Sequence, residues 1–147
     1  MRECIGNMWD YHDKGHWVCI TTNGQVKKDG ANVMGCGCAL EAKNRFPAIE
    51  YSIGETLRQK GNIVIAFPDI RLFTFPVKCH YAENASLELI KESCEQLLEI
   101  IGIVEQGDGI TIPEVYLPRP GCGAGRLKWE LTKGRLDPLT PPQSSTA

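Results

Sequence analysis

Short runs of apolar and β-branched residues along the chain predict its strands. These runs lie at 17–22, 63–67, 72–77 and 110–117. The first ends at Asn23-Gly24, a dipeptide typical of turns, and the unbroken apolar character of the second and third indicates strands buried on both faces, as in a parallel sheet. Pro113 interrupts the fourth run, so its first part is expected at a sheet edge or a bulge.

Segments with helical periodicity lie between these runs. Segments 39–46, 51–60, 86–101 and 127–135 are predicted helices, and the polar stretch 25–32 is a predicted loop. Pro47 and Gly61 end the first two helices. The clearest helix is 86–101, with Asn84 or Ser86 as its N-cap and Gly102 as its end. Its apolar face is expected to contain Leu87, Ile90, Cys94, Leu97, Leu98 and Ile101.

The alternation of predicted strands and helices indicates an α/β protein, with a three-layer α/β/α domain built on a mixed central sheet. This domain is expected to span residues 1–139, and the Pro- and Ser-containing segment 140–147 is expected to be a disordered tail. Ligands of open α/β sheets lie beyond the carboxyl ends of the strands. The loops that follow the strands are therefore where a binding site is expected.

Two glycine-rich loops fall at such positions. The first spans 33–39 and contains Gly35 and Gly37, and the second spans 117–125 and contains Gly121, Gly123 and Gly125. Glycine lets a ligand approach the backbone closely, and the N-terminus of a following helix offers unpaired N–H groups to an anion. Two such loops at one sheet edge predict a clamp for a diphosphate. The same glycines would also suit tight packing between a strand and a helix.

The composition limits the kinds of partner that the protein is expected to bind. The net charge of −2 gives no sign of a polybasic surface for nucleic acid, whereas backbone amides hold phosphates without added charge. No apolar run reaches membrane-spanning length and the first residues lack the apolar core of a signal peptide, so no membrane partner is expected. The seven cysteines form no regular framework, which favours reduced thiols. We expect a cytoplasmic monomer.

Four segments of the chain share their order and spacing with a known family. They are Gly6-Asn7-Met8-Trp9, Ile20-Thr21-Thr22-Asn23-Gly24, Met34-Gly35-Cys36-Gly37-Cys38-Ala39 and Pro118-Arg119-Pro120-Gly121-Cys122-Gly123-Ala124-Gly125. Together they resemble the macro domain family, which binds ADP-ribose. The resemblance covers nearly the whole chain, up to residue 139.

Three features resemble one branch of that family more than the others. Ala39 ends the first loop where the protein-deacylating branch carries an acidic residue, and Leu127-Lys128-Trp129 follows the second loop. The segment 75–78, Phe-Pro-Val-Lys, is similar to a Phe-Pro-Thr-Lys motif whose lysine is catalytic. The branch with these features contains the terminal ADP-ribose glycohydrolase and the macro-domain antitoxins that remove ADP-ribose from DNA.

The resemblance implies a role for each motif residue. Lys78 and Asn23 would be catalytic: the Lys78 amine would attack the opened distal ribose to form a Schiff base, or polarise the leaving group, and Asn23 would hydrogen-bond a distal-ribose hydroxyl. Asn7 would contact the adenine. The implied ADP-ribose ligands are Asn7, Met8, Asn23, Met34, Gly35, Cys36, Gly37, Cys38, Ala39, Pro118, Arg119, Gly121, Cys122, Gly123, Ala124, Gly125 and Arg126. No metal or cofactor is expected, because Cys36-x-Cys38 lacks the C-x₂₋₄-C spacing of zinc sites.

The sequence is compatible with three functions. Lys78 and Ala39 favour an ADP-ribosyl hydrolase that releases ADP-ribose from a modified protein or nucleic acid. Gly125 stands where the glycohydrolases have an acidic residue, which favours a reader that binds ADP-ribose without turnover, although the antitoxins also have glycine there. The third is a phosphatase acting on ADP-ribose 1″-phosphate, with His80 as its acid or base. If Lys78 and Asn23 have no role at a ligand, Lys78 is an exposed lysine after a strand and Asn23 belongs to an ordinary Asn-Gly turn.

Overall fold

The computed structural model describes residues 6–121. The predicted helix 127–135 and the predicted tail 140–147 lie outside the described residues, so both stay predictions. In chain order the elements are α1 (Met8–Asp13), β1 (Trp17–Asn23), α2 (Gly37–Arg45), α3 (Ile49–Lys60), β2 (Ala66–Phe67), a 3₁₀ turn (Pro68–Ile70), β3 (Leu72–Lys78), α4 (Leu87–Asp108) and β4 (Val115–Tyr116). The helices expected at 39–46 and 51–60 are confirmed as α2 and α3.

The described strands form one mixed sheet in the order β2-β3-β1-β4. β3 and β4 both run parallel to β1, and β2 runs antiparallel to β3. The pairing of β1 with β3 extends from Val18 opposite Leu72 to Asn23 opposite Lys78, nearly the full length of both strands. β4 pairs only with the start of β1. The mixed sheet predicted from the sequence is confirmed.

Side chains alternate between two cores on opposite faces of this sheet. Trp17 and Cys19 of β1 join a core with β3 and α4, whereas Val18 and Ile20 join a core with α1, α2 and α3. Helices therefore cover both faces, which confirms the three-layer α/β/α arrangement. Within residues 6–121, no helix combines the length and the apolar character needed to cross a membrane.

The segment 63–67 is not the buried parallel strand that its apolar run predicts. Only Ala66–Phe67 is a strand, and it lies antiparallel at the edge of the described sheet. Before it, side chains replace part of the strand ladder: the Ile65 N–H donates to Thr74 Oγ1 at 2.8 Å, and the Val64 N–H donates to Gln96 Oε1 at 2.9 Å. The Thr74 N–H still donates to the Ile65 carbonyl oxygen at 2.9 Å. The prediction was wrong because periodicity does not reveal which side chains will satisfy the backbone.

Helix α4 begins as predicted but ends later. Ser86 caps it, because its Oγ accepts from the Leu89 N–H at 3.2 Å. Gly102 does not end the helix, since Val104 still packs in the core and the chain leaves the helix only at Gly109, which has φ 65°. Leu98 was wrongly placed on the buried face and is 46% exposed.

The run 110–117 contributes only the short strand β4. Ahead of that strand, the Ile112 N–H donates to Glu105 Oε2 at 2.8 Å, which binds this segment to α4 rather than to the sheet. Pro113 follows and has no N–H to offer a ladder. The first part of the run is therefore neither an edge strand nor a bulge. The expectation drawn from the pattern was wrong here.

Two glycines inside helices give a matched test of this packing. A β-carbon at Gly54 of α3 would clash with the Gly30 carbonyl oxygen, whereas one at Gly102 of α4 would meet no atom of the described residues within 4 Å. We expect Gly54→Ala to lower the free energy of unfolding by about 1–3 kcal/mol. Gly102→Ala should raise it by about 0.5–1 kcal/mol, because alanine favours helix. Urea unfolding checks both, and equal effects of the two variants would contradict the packing described for α3.

Candidate functional site

Asn23 and Lys78 end the two central strands and lie opposite each other in the sheet register. The register shifts here: Thr22 pairs with Pro76 and Asn23 pairs with Lys78, so β3 carries one extra residue. Such bulges re-aim side chains and are common next to active sites. Both side chains are 8% exposed. The two residues implied as catalytic are therefore buried neighbours at the carboxyl edge of the sheet.

The Lys78 amine is held close to the protein. Its Nζ donates to the Tyr81 carbonyl oxygen at 3.0 Å. The Lys78 carbonyl oxygen accepts from the Gly24 N–H at 3.1 Å and from Asn62 Nδ2 at 3.2 Å, so backbone and side chain are both anchored. An exposed lysine after a strand, the structural alternative, is wrong for this residue. A buried amine at the end of a strand is suited to chemistry on a bound ligand.

Asn23 joins the exit of β1 to the first glycine loop. Its Nδ2 donates to the Val33 carbonyl oxygen at 2.8 Å, and its Oδ1 accepts from the Gln25 N–H at 3.0 Å. Asn32 Nδ2 lies 3.1 Å from both the Asn23 Oδ1 and the Asn23 carbonyl oxygen. The side chain is thus tied to the loop that precedes Gly35, which goes beyond an ordinary Asn-Gly turn. Its contact with a ribose hydroxyl stays a prediction.

The first glycine loop leads into α2 with its backbone open. Added β-carbons at Gly35 and Gly37 would meet no atom of the described residues within 4 Å, so packing against those residues does not require glycine. Gly37 has φ +61°, a conformation that strains other residues. Cys36, the N-cap of α2, makes no side-chain bond to the first turn. Open glycines before an uncapped helix N-terminus form a cradle suited to an anion.

Three further ligands implied in this loop contribute differently. Met34 and Ala39 are buried in the core shared with α1 and α3, so their side chains serve packing. Cys38 covers the edge of β1 that β4 leaves unpaired: its Sγ lies 3.4 Å from the Thr21 N–H nitrogen and 3.3 Å from Thr21 Oγ1. Burial raises the pKa of the Cys38 thiol, which keeps it neutral. Cys38 therefore fixes the start of α2 against the end of β1.

The second glycine loop leaves the sheet at the same edge, because β4 runs parallel to β1. Pro118 is half-buried, Arg119 is exposed, and Gly121 is buried with φ +77°. The remaining implied ligands of this loop lie outside the described residues: Cys122, Gly123, Ala124, Gly125 and Arg126. Their contacts stay predictions.

Asn7 and Met8 begin α1. Asn7 is the N-cap, since its Oδ1 accepts from the Trp9 N–H at 2.9 Å, and Met8 packs against the core that contains Trp9. Tyr11 of α1 stacks on Tyr116 of β4 with ring centroids 4.0 Å apart, which joins α1 to the strand before the second loop. Asn7 is thus a helix cap, and its implied contact with adenine stays a prediction.

His80, the candidate of the phosphatase hypothesis, lies on an exposed turn after Lys78. Its Nδ1 accepts from the Ala82 N–H at 3.1 Å, which places the hydrogen of the neutral ring on Nε2. Its ring stacks on Tyr81 with centroids 4.8 Å apart. The bond to Ala82 occupies Nδ1, and the acid or base role of His80 stays a prediction. Nowhere between residues 6 and 121 do three His, Cys, Asp or Glu side chains gather to hold a metal ion.

One residue of this site was missed by sequence reasoning. Asn32 was placed in a polar loop, yet it is 1% exposed and its Nδ2 also donates to the Gln25 carbonyl oxygen at 2.9 Å. Its Oδ1 is buried without a partner among the described residues, which costs on the order of 1–3 kcal/mol. Asparagine is ordinary in loops, so nothing in the sequence pattern marks this position as buried.

Comparison with solved structures identifies the architecture. No family model and no curated protein matches the chain. The macrodomain of Thermus aquaticus DarG superposes with TM-score 0.64 and 22% identity over 87% of this chain and 83% of that one. The macrodomain of Mycobacterium tuberculosis DarG gives 0.62 and 22% over 83% and 78%. This chain has the macrodomain fold. A structure of Thermosipho africanus DarTG in complex with ADP-ribose gives 0.61 and 19%, over 82% of this chain and 34% of that one.

Thiol reactivity tests how α2 is seated in this macrodomain fold. Cys36 and Cys79 are exposed, whereas burial raises the pKa of Cys19 and Cys38 and raises that of Cys94 to about 12. Since the thiolate is the reactive form, a short pulse of iodoacetamide at pH 8 should label only the two exposed thiols of these five. Peptide mass spectrometry with a denatured control checks this. Labelling of Cys38 as fast as Cys36 would show that α2 is not sealed against β1.

Proposed function

We propose that this chain binds ADP-ribose and hydrolyses its link to a modified macromolecule, with Lys78 as the catalytic residue. The observation that carries the proposal is the pairing of Asn23 and Lys78, buried at the carboxyl edge of the sheet beside an open glycine loop. The shared fold with a DarTG structure in complex with ADP-ribose supports the choice of ligand. The macromolecule is a protein or a nucleic acid.

The first glycine loop would hold the diphosphate. Gly35 and Gly37 leave space above the backbone, and the first N–H groups of α2, which have no carbonyl partner within the helix, would donate to a diphosphate there. Backbone donors need no excess of basic residues, which agrees with the net charge of −2. The same loop is bonded to Asn23 through Val33, so a diphosphate in the cradle would bring the attached ribose toward the two catalytic candidates.

Lys78 would act on the distal ribose. Its nitrogen would bond to C1″ as the bond from C1″ to the macromolecule breaks, and an amine proton would pass to the departing atom of the macromolecule. The sugar ring would then open to an imine as a second amine proton passes to the ring oxygen, and water would hydrolyse the imine, releasing ADP-ribose and restoring the amine. Among the described residues, the polar partner of the Lys78 Nζ is the backbone carbonyl oxygen of Tyr81. The amine can give up this hydrogen bond when it bonds to a reacting carbon. Burial beside Asn23 would orient the amine for this attack.

A second candidate is recognition of ADP-ribose without turnover. The bond from Lys78 Nζ to the Tyr81 carbonyl favours it, because that bond gives the lysine a structural role in the turn after β3. Gly125, which stands where the glycohydrolases have an acidic residue, favours it as well.

A lysine substitution with a matched control separates the two candidates. We expect the protein to release ADP-ribose from mono-ADP-ribosylated protein or from ADP-ribosylated thymidine DNA, and Lys78→Ala to slow release by about 100-fold or more. Lys91→Ala, an exposed lysine on α4, should behave as the unchanged protein. Cyanoborohydride during turnover should leave a reduced ADP-ribose adduct on Lys78, detectable by mass spectrometry. Undiminished release by Lys78→Ala would refute the catalytic role, and binding without release would favour the second candidate.

A further inference from the structure

Asn32 is hydrogen-bonded to the side-chain amide of Asn23. Its Nδ2 has two hydrogens and lies within hydrogen-bond distance of the Gln25 carbonyl oxygen, the Asn23 carbonyl oxygen and the Asn23 Oδ1. Closure of the 25–32 loop does not depend on this side chain, because backbone bonds already join Val33 to Gln25 and Lys27 to Ala31. The bond from Asn32 Nδ2 to Asn23 Oδ1 is therefore additional to the bonds that close the loop. It acts on Asn23, a residue of the candidate site.

The consequence for Asn23 is an amide with one open hydrogen-bonding position. Its Oδ1 accepts from the Gln25 N–H and shares the Asn32 Nδ2 donor with the Asn23 carbonyl oxygen, so both of its lone pairs face donors. One hydrogen of its Nδ2 is donated to the Val33 carbonyl oxygen, and the other has no partner among the described residues. An amide that is free to rotate would offer a ligand either a donor or an acceptor. This amide offers a donor alone.

We infer that Asn32 is a positioning residue that, together with the Gln25 N–H and the Val33 carbonyl oxygen, fixes Asn23 as a hydrogen-bond donor to an oxygen of the ligand. The inference rests on the proposed function, and it narrows the contact: Asn23 would donate to an oxygen of the distal ribose and would accept nothing from it. The near-complete burial of Asn32 fits this role, because a buried donor with fixed acceptors cannot turn away when the ligand arrives.

The test removes that bond. Asn32→Asp keeps the shape but can only accept, so Asn23 Oδ1 loses one of its two donors and faces a carboxylate oxygen instead, which should displace the Asn23 amide from the position held by Gln25 and Val33. We expect ADP-ribose binding, measured by calorimetry, to weaken about tenfold or more. Asn44→Asp makes the same chemical change at an exposed position of α2 and should leave binding unchanged. Unchanged affinity in folded Asn32→Asp would overturn the inference.

A measurement on the unsubstituted protein decides the matter if Asn32→Asp does not fold. In ¹⁵N spectra with assigned side-chain amides, ADP-ribose should shift one hydrogen of Asn23 Nδ2 and leave the hydrogen bonded to Val33 in place. Binding of ADP-ribose that leaves both hydrogens unshifted would overturn the positioning role while the proposed function stands. Absence of any ADP-ribose binding would overturn both.

Discussion

The parallel pairing of β1 with β3 is the constraint on which the rest of the structure depends. It runs from Val18 opposite Leu72 to Asn23 opposite Lys78 and is buried on both faces. Because the strands are parallel, their carboxyl ends meet at one edge, and the residues that follow them must share it. The register shift at Thr22 then sets Lys78, rather than Val77, opposite Asn23. A shift back by one residue would replace the amine with an apolar side chain.

The unpaired part of β1 supplies the second half of the site. β4 reaches only the first residues of β1, and the Cys38 thiol occupies the free N–H of Thr21 further along. The N-terminus of α2 is thereby fixed beside the end of β1, with its helix dipole directed at the same edge. β1 thus positions the proposed diphosphate cradle and pairs with β3, the strand that carries Lys78, which would couple binding to the chemistry proposed for Lys78.

Much of this arrangement could be predicted from the sequence, and the failures have physical causes. Strands β1 and β3 and the Ser86 cap follow from patterns that are local in the chain. The state of segment 63–67 depends on Thr74, a residue of another strand whose hydroxyl takes the Ile65 N–H. The end of α4 depends on the burial of Val104. Val104 lies beyond Gly102, and glycine is a residue at which many helices end.

The role of Asn32 could not be predicted for a related reason. Its burial and its bonds to Asn23 arise only when the 25–32 loop folds back onto the end of β1. The resemblance to the macro domain family named the residues that would touch the ligand, because their motifs match that family. It did not find the asparagine that holds them, since asparagine in a polar loop is common. Residues that hold other side chains in place are recognised only in the three-dimensional structure.

Calorimetric titration of ADP-ribose into the unchanged protein and into Gly35→Val tests the central claim most directly. A β-carbon at Gly35 meets no atom of the described residues within 4 Å, so the valine should fill the cradle without unfolding the protein. The account predicts micromolar binding, about −8 kcal/mol, that weakens at least about tenfold in the variant while its unfolding midpoint is unchanged. Equal affinity of the two proteins, or no binding by either, would contradict it.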